Sequence, residues 1–299
     1  MKISILGFTF RILLLGVSLQ LYPQALAVTV TNLNDSGPGS IRQAIADTTA
    51  GGTIDFGVTG TVVLTSGQLV ITNDLAVSGP GATNLTVSQN TADRILVVSN
   101  GNVTISGLTI ANGRRLGINE DGGGIKNLAT LTLRKCLITS NYAGGSGGGI
   151  YNQGALIVRD SLITSNTAFI GGGGIVNSYG AATTIIGTTI CSNAAYMMLG
   201  GGGVATAGDL VVSNSTMSYN SGGIVVYAGT VVVSSSTLVN NYSSGDLGPD
   251  TSSTNTIIIR NSIIGFCAGG RFISEDYNLI QSIEFLSWVV GMTNHNIYG

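Results

Sequence analysis

Few side chains in this 299-residue chain could do chemistry, because only 9% of its residues are charged. Three clusters combine suitable types. Arg114, Arg115, Glu120 and Asp121 bring both charge signs into one connection, Asp246 and Asp250 form a second cluster, and Glu275 and Asp276 a third. Two carboxylates that face each other can serve as acid and base on a glycosidic bond, or can hold calcium beside a basic residue. The first cluster is the best candidate for a saccharide or ion site, against the default of a solvated loop. His295 has no Ser or Cys nucleophile paired with it, so a triad is not expected. Cys136, Cys191 and Cys267 are odd in number and widely spaced, which fits neither a disulfide framework nor a zinc site. They read as small, buried or half-buried stand-ins for Ser, Thr or Asn. Tyr142, Tyr219 and Tyr242 flank a column of asparagines and offer a stripe for stacking sugar rings, with packing against their own loops as the competing reading. No catalytic residue, cofactor site or metal site is assigned on these grounds.

The elements that must position these residues announce themselves by repetition. Gly122-Gly123-Gly124-Ile125 returns as Gly147-Gly148-Gly149-Ile150, Gly172-Gly173-Gly174-Ile175, Gly201-Gly202-Gly203-Val204 and a shortened Gly222-Gly223-Ile224. The closing apolar residue advances by 25, 25, 29 and 20 positions, so one structural unit is laid down repeatedly. No Gly-Lys-Ser/Thr follows these runs, which removes the phosphate-loop reading. A second register runs alongside. The strand ends Ile105, Leu133, Val158, Ile185, Val212, Val233 and Ile259 are each followed eight residues later by Gly113, Asn141, Asn166, Asn193, Asn220, Asn241 and Cys267. Within that offset sits a short strand such as Leu137-Ile138 or Leu162-Ile163. Another short strand follows each glycine run, with Asn127, Asn152 and Asn177 two residues beyond its isoleucine.

Two or three short strands in each repeat of about 25 residues describe a parallel β-helix, an all-β solenoid in which apolar columns are buried only when coils stack. The Asn and Gly column is expected to hold the left-handed conformation of a sharp corner and to hydrogen-bond from coil to coil. In the column that contains Asp160, the other coils carry Lys135, Gly187, Asn214, Ser235 and Asn261, so no carboxylate lies one coil away.

Ahead of the repeats, residues 1–27 read as a secretory signal peptide: basic Lys2, an apolar run near Leu13-Leu14-Leu15, and Ala25-Leu26-Ala27 as the cleavage signal. Its removal leaves ten basic against 14 acidic residues, and a weakly acidic chain without basic clusters argues against nucleic acid as a partner. Residues 28–52 hold a first strand, Val28-Thr29-Val30, and a capping helix. Its Ser40-Ile41-Arg42-Gln43 start has the capping-box pattern, and the helix is placed to cover an exposed sheet end. The β-helix occupies 53–299. Its pattern is still running at Asn296-Ile297-Tyr298-Gly299, so final coils are expected to be missing.

The motif Gly39-Ser40-Ile41-Arg42-Gln43-Ala44-Ile45 resembles the Cys-Ser-Leu-Arg-Glu-Ala-Ile segment of secreted right-handed parallel β-helix proteins, with Gly for Cys and Gln for Glu. Leu75-Ala76-Val77-Ser78-Gly79-Pro80-Gly81-Ala82 and Ile105-Ser106-Gly107-Leu108-Thr109-Ile110 match further segments. Tyr277-Asn278-Leu279-Ile280 is similar to the C-terminal region of such proteins, where varied surface anchors occur. The glycine runs, paired with segments such as Ile163-Thr164-Ser165-Asn166, resemble the polymorphic outer-membrane protein repeat. This resemblance implies a right-handed, pectin lyase-like β-helix of the cell surface. The expectation is a non-catalytic protein of display, adhesion or envelope structure, with an extracellular polysaccharide lyase or glycoside hydrolase as the alternative. Expected partners are cell-surface glycans or envelope components. The mature chain is expected to be monomeric and to lack a transmembrane segment.

Overall fold

The computed structural model describes residues 27–197, 200–242, 245–249, 255–268, 270–283, 287–290 and 296–298. Most of the proposed signal peptide, Asp250 and His295 lie outside them. Strands of two to five residues form a 12-stranded sheet, a 19-stranded sheet and a short 4-stranded sheet. Neighbours within a sheet come from successive coils, and the pairing is parallel. This is a parallel β-helix. Every repeat of the sequence is one coil.

The registers follow the apolar columns. In the first sheet Ile105, Leu133, Val158, Ile185, Val212, Val233 and Ile259 stack in line, and all are buried. In the second sheet one run stacks Ile110, Ile138, Ile163, Ile190, Met217, Leu238 and Ile264. A parallel run stacks Leu96, Ile125, Ile150, Ile175, Val204, Ile224 and Leu247. The two runs join because Ile263–Cys267 pairs with both Thr237–Val239 and Leu247–Pro249. No coil could bury its aliphatic face alone, and stacking removes each from water at roughly 25 cal/mol per Å² of apolar surface.

Helix α1 (Ile41–Asp47) covers one end of the stack. Its Ile41 and Ile45 close the coil interior against Leu69, Ile71 and Ile95. The Ser40 side chain accepts from the Gln43 amide at 3.2 Å, but the expected return bond is absent. The Gln43 amide group instead donates to Asp47 at 2.7 Å, since the Ser40 N–H is already taken by the Gly37 carbonyl at 3.2 Å.

Three polar ladders run through the corners. Gly113 N–H donates to Asn141 Oδ1 at 2.8 Å. Asn141, Asn166, Asn193 and Asn220 then each pass backbone N–H and Nδ2 to the Oδ1 of the next asparagine, ending on Asn241. Asn127 donates to Asn152, Asn152 to Asn177, and Asn177 to Thr206. A hydroxyl ladder links Cys136 N–H to Ser161, then Thr188, Ser215, Ser236 and Ser262.

Two expectations are corrected here. The left-handed residues are Ser140, Ser165, Ser192, Tyr219 and Asn240, each one position before the asparagine column. The asparagines are therefore required as buried donors and acceptors, and the corner strain falls on their predecessors. Cys267 does not continue that column. It pairs with Leu247 in the apolar column of the second sheet, while Asp246 takes the last ladder position, accepting from Asn241 N and Nδ2 at 2.8 and 2.7 Å.

The glycine runs have a steric reason. A Cβ on Gly148 would lie 2.3 Å from the Thr167 carbonyl oxygen and 2.6 Å from that of Gly173. The coils approach closer here than any side chain allows.

Candidate functional site

The short sheet begins with Arg114–Arg115, which pairs with Tyr142–Ala143. Successive strand side chains point to opposite faces, so the two arginines part company. Arg115 turns toward the preceding coil, donating to Asp93 Oδ1 at 3.0 Å and to Glu120 Oε1 at 2.5 Å. Glu120 also accepts from the Gly117 amide at 3.2 Å. Asp121 accepts the Ser146 amide of the next coil at 2.8 Å. Burial pushes its carboxyl above the usual range, against the Ser146 amide and the charges of Lys126 and Arg94. The sequence-defined cluster is thus brought together, but as a brace between coils.

Its principal partners were not legible beforehand. Asp93 and Arg94 belong to the previous coil, more than twenty positions away in sequence. Arg94 is buried, and its guanidinium donates to the carbonyls of Gly122 and Asp121 at 3.2 and 3.0 Å and to Gln68 Oε1 at 3.1 Å. Burial pushes its pKa down, and repulsion from Arg115 adds to this, opposed by Asp93, Glu120 and Asp121.

Arg114 is exposed and lines an open groove with Gln89, Asn90, Thr91, Asn112, Ser140 and Tyr142. Hydrogen bonds tie the floor together: Gln89 Oε1 accepts from the Asn90 amide and Thr91 hydroxyl, both at 3.1 Å, and Asn112 donates to Ser88 at 3.0 Å. A cation, several amides and hydroxyls, and one phenol can hydrogen-bond the hydroxyls of a saccharide, and no carboxylate lines the groove.

The other candidates separate. Asp246 is buried and committed to the ladder and to the Phe266 amide at 2.7 Å. Glu275 is paired with Arg260, and the Asp276 carbonyl accepts from the Asn261 amide at 3.0 Å. Asp160 shares a corner column with Lys135, Gly187, Asn214, Ser235 and Asn261, all left-handed, φ 44 to 58°. Tyr142 and Tyr242 share a column several coils apart, whereas Tyr219 belongs to the left-handed column, so the three make no continuous stripe. A different tyrosine pair was missed. Tyr151 lies under the Lys126 ammonium at 5.7 Å and shares a shallow trough with Tyr179, which is 84% exposed. The available signal was the outward position just after the glycine-run isoleucine.

Cys136 occupies the hydroxyl ladder, and Cys191 the Thr164 and Ser218 column, as expected for Ser or Thr substitutes. Burial pushes the Cys136 thiol up, and burial with the Asp246 charge pushes Cys267 up to about 12. Both are poor nucleophiles at neutral pH. Among the described residues no group of three or more His, Cys, Asp or Glu is placed to hold a metal ion, and no helix is long and apolar enough to cross a membrane.

The family model described as a right handed beta helix region matches residues 94–264. The chain belongs to the right-handed β-helix family. No curated protein matches it. Among solved structures it is similar to the A-module of the Azotobacter vinelandii mannuronan C-5 epimerase AlgE6, at 12% identity and TM-score 0.45, covering 91% of this chain and 98% of that one. It is also similar to pectate lyase Pel9A, at 12% identity and TM-score 0.49, covering 90% and 78%. Likeness at this level concerns fold alone.

Proposed function

We propose that this chain is a secreted, non-catalytic β-helical rod of the cell surface, acting in display, adhesion or envelope structure, with surface glycans or envelope components as partners. The observation that carries this reading is the engagement of the acidic side chains nearest the groove. Asp93 and Glu120 are both held by Arg115, and Asp121 by the Ser146 amide. A glycosidase or lyase needs a carboxylate or other base within hydrogen-bond reach of its substrate, and these groups, though partly exposed, are already engaged by partners within the protein. The groove of Arg114, Asn112 and Tyr142 suits binding without turnover. Support for secretion comes from the basic, apolar and small-residue succession before Val28. The Ser40–Ile45 motif and the glycine-run repeats, which resemble those of surface β-helix proteins, support placement at the envelope. The protein is proposed to act as a monomer.

Two measurements test this. Purified protein is incubated with acidic and neutral polysaccharides, and release of unsaturated or reducing ends is followed. No release is expected, and release abolished by Glu120→Gln or Asp121→Asn would replace this reading with a lyase or hydrolase. Fractionation of producing cells is expected to recover the processed chain outside the cytoplasm, and recovery of the full-length chain inside it would end the surface role.

A further inference from the structure

The outward end of the first-sheet strands forms a column of Ser106, Arg134, Arg159, Ile186, Ser213, Ser234 and Arg260. At the far end of this column Arg260 faces Glu275 in the next coil and the two form an ion pair, with Arg260 Nη2 3.1 Å from Glu275 Oε1. One position of the same column is built the opposite way. Arg134 and Arg159 are register partners in adjacent coils, about 4.8 Å apart along the stack. Lys135 follows Arg134 at the left-handed corner, exposed beside it. Like charges at facing positions of a sheet are destabilising, and none of the four ion pairs among the described residues involves these three cations. The nearest acidic residue in the corner column, Asp160, leans the other way: its Oδ1 lies 2.8 Å from where a Gly187 Cβ would stand, against the following coil. Three positive charges and the single negative charge of Asp160 are therefore gathered over two rungs, with none of the three cations ion-paired to it.

We propose that Arg134, Lys135 and Arg159 form a binding site for the carboxylate or sulfate groups of an acidic polysaccharide. Guanidinium groups take such oxyanions bidentately, and two of them one rung apart present a row of donors along the coil axis. The hydroxyl-bearing neighbours Ser106 and Thr132 border them on the same sheet. A nucleic acid fits less well, because its affinity is built from many phosphate contacts and this chain carries fewer basic than acidic residues. The choice of a glycan rests on the extracellular reading above; the anion site itself rests on the charge arrangement.

The test is affinity electrophoresis and calorimetry of the full chain at low salt with polygalacturonate, dextran sulfate and neutral dextran, and with duplex DNA and anionic vesicles as competitors for the assignment. Binding to at least one acidic polymer, none to neutral dextran and weaker binding to DNA and vesicles are expected. Arg159→Glu sets a carboxylate one rung from Arg134, the arrangement that Arg260 and Glu275 already have. It should weaken acidic-polymer binding by roughly tenfold or more without lowering the melting temperature. Arg134→Gln should weaken binding to a smaller extent. Unchanged binding by folded Arg159→Glu, no binding of either acidic polymer by the native chain, or equal binding of DNA or vesicles overturns the proposal. Loss of binding in Arg114→Ser, with Arg159→Glu silent, places the anion in the polar groove and overturns it too. None of these failures touches the absence of turnover or the location of the protein, which the preceding experiments read separately.

Discussion

From Gly113 to Asn241 the coils are held together by neutral amides, each asparagine serving the next coil as its predecessor served it. The coils before Gly113 use charge for the same work. Asp35 gathers Arg42, the amides and hydroxyls of Thr65 and Ser66. Arg42 in turn donates to the carbonyls of Gly67 and Gln68, both in the coil beyond. Asp93 and Arg94 complete the transition into the glycine-run coils. The difference follows from repetition. When each coil presents the same corner, one uncharged side chain answers every orphan donor and acceptor. Where corners differ in length, each needs its own arrangement, and a carboxylate or guanidinium with several hydrogen-bonding sites meets irregular geometry best.

The contrast is sharpest at the glycines. Gly148→Ala should cost about 3 kcal/mol or more, since the added carbon meets the Thr167 and Gly173 carbonyls of the next coil and overpacking has no flexible side chain to absorb it. Gly57→Ala, in the charge-tied region, meets nothing nearer than 3.5 Å and should stay within about 0.5 kcal/mol. Urea midpoints of the two variants give the comparison directly, and equal losses would break it.

Next in size is Asn166→Ala. It strands the Asn141 donors and removes donors to Ile138, Thr164 and Asn193, so about 2–3 kcal/mol should be lost by the same measurement. A cost below that of an ordinary surface substitution would show the ladder to be incidental.

A pH titration separates the two regions. Burial opposes ionisation of Asp35, but the Ser66 hydroxyl, Arg42 and the amides of Thr65 and Ser66 outweigh it and hold its pKa well below the ordinary 3.8. Its stabilisation is therefore full above 3.8 and is lost as pH falls below it toward the folded value. Asp121 has the opposite sign: with its pKa raised by burial, its contribution fades as pH rises through that raised value. Hydrogen exchange compared at about pH 5 and about pH 3 should show the segments around Asp35 and Thr65 opening first, with the coils of Asn141 to Asn220 unchanged. Asp35→Asn should remove that difference and cost about 1–2 kcal/mol at neutral pH. The smallest effect is expected at Arg260 and Glu275. Both side chains are nearly half exposed, so a double-mutant cycle should return no more than about 0.5 kcal/mol.

Much of this architecture was written plainly in the sequence. Ile105, Leu133 and Val158 fall in register because their inward column is filled by aliphatic side chains from coil to coil, and Cys136 takes a hydroxyl position as its size suggests. The corners were harder. A serine such as Ser140 or Ser165 does not advertise a left-handed conformation, so the strain was assigned to the asparagine beside it. The strand at Leu247 was hidden because its glycine run has decayed to Gly245-Asp246, and the same change concealed Asp246 as the end of the ladder. The candidate cluster was seen without Asp93 and Arg94 because coil lengths vary there, and only stacking brings those residues to Arg115. The Arg134 and Arg159 pair was within reach, since each directly follows an aligned strand end, Leu133 or Val158, and the structure keeps that register.

The asparagine ladder has a direction. From Asn141 through Asn241 every Oδ1 accepts from the coil before, and every Nδ2 donates to a carboxamide or carboxylate oxygen of the coil after as well as to a backbone carbonyl of the coil before. The amide dipoles therefore add head to tail, as peptide dipoles do in an α-helix, and such chains polarise one another. The positive pole emerges at Asn241, where the next acceptor is the carboxylate of Asp246. An anion thus caps this column of side chains as an acidic residue caps a helix N-terminus. A designer who lengthens the rod should insert whole asparagine coils upstream of Asp246 and leave the negative charge at the tip.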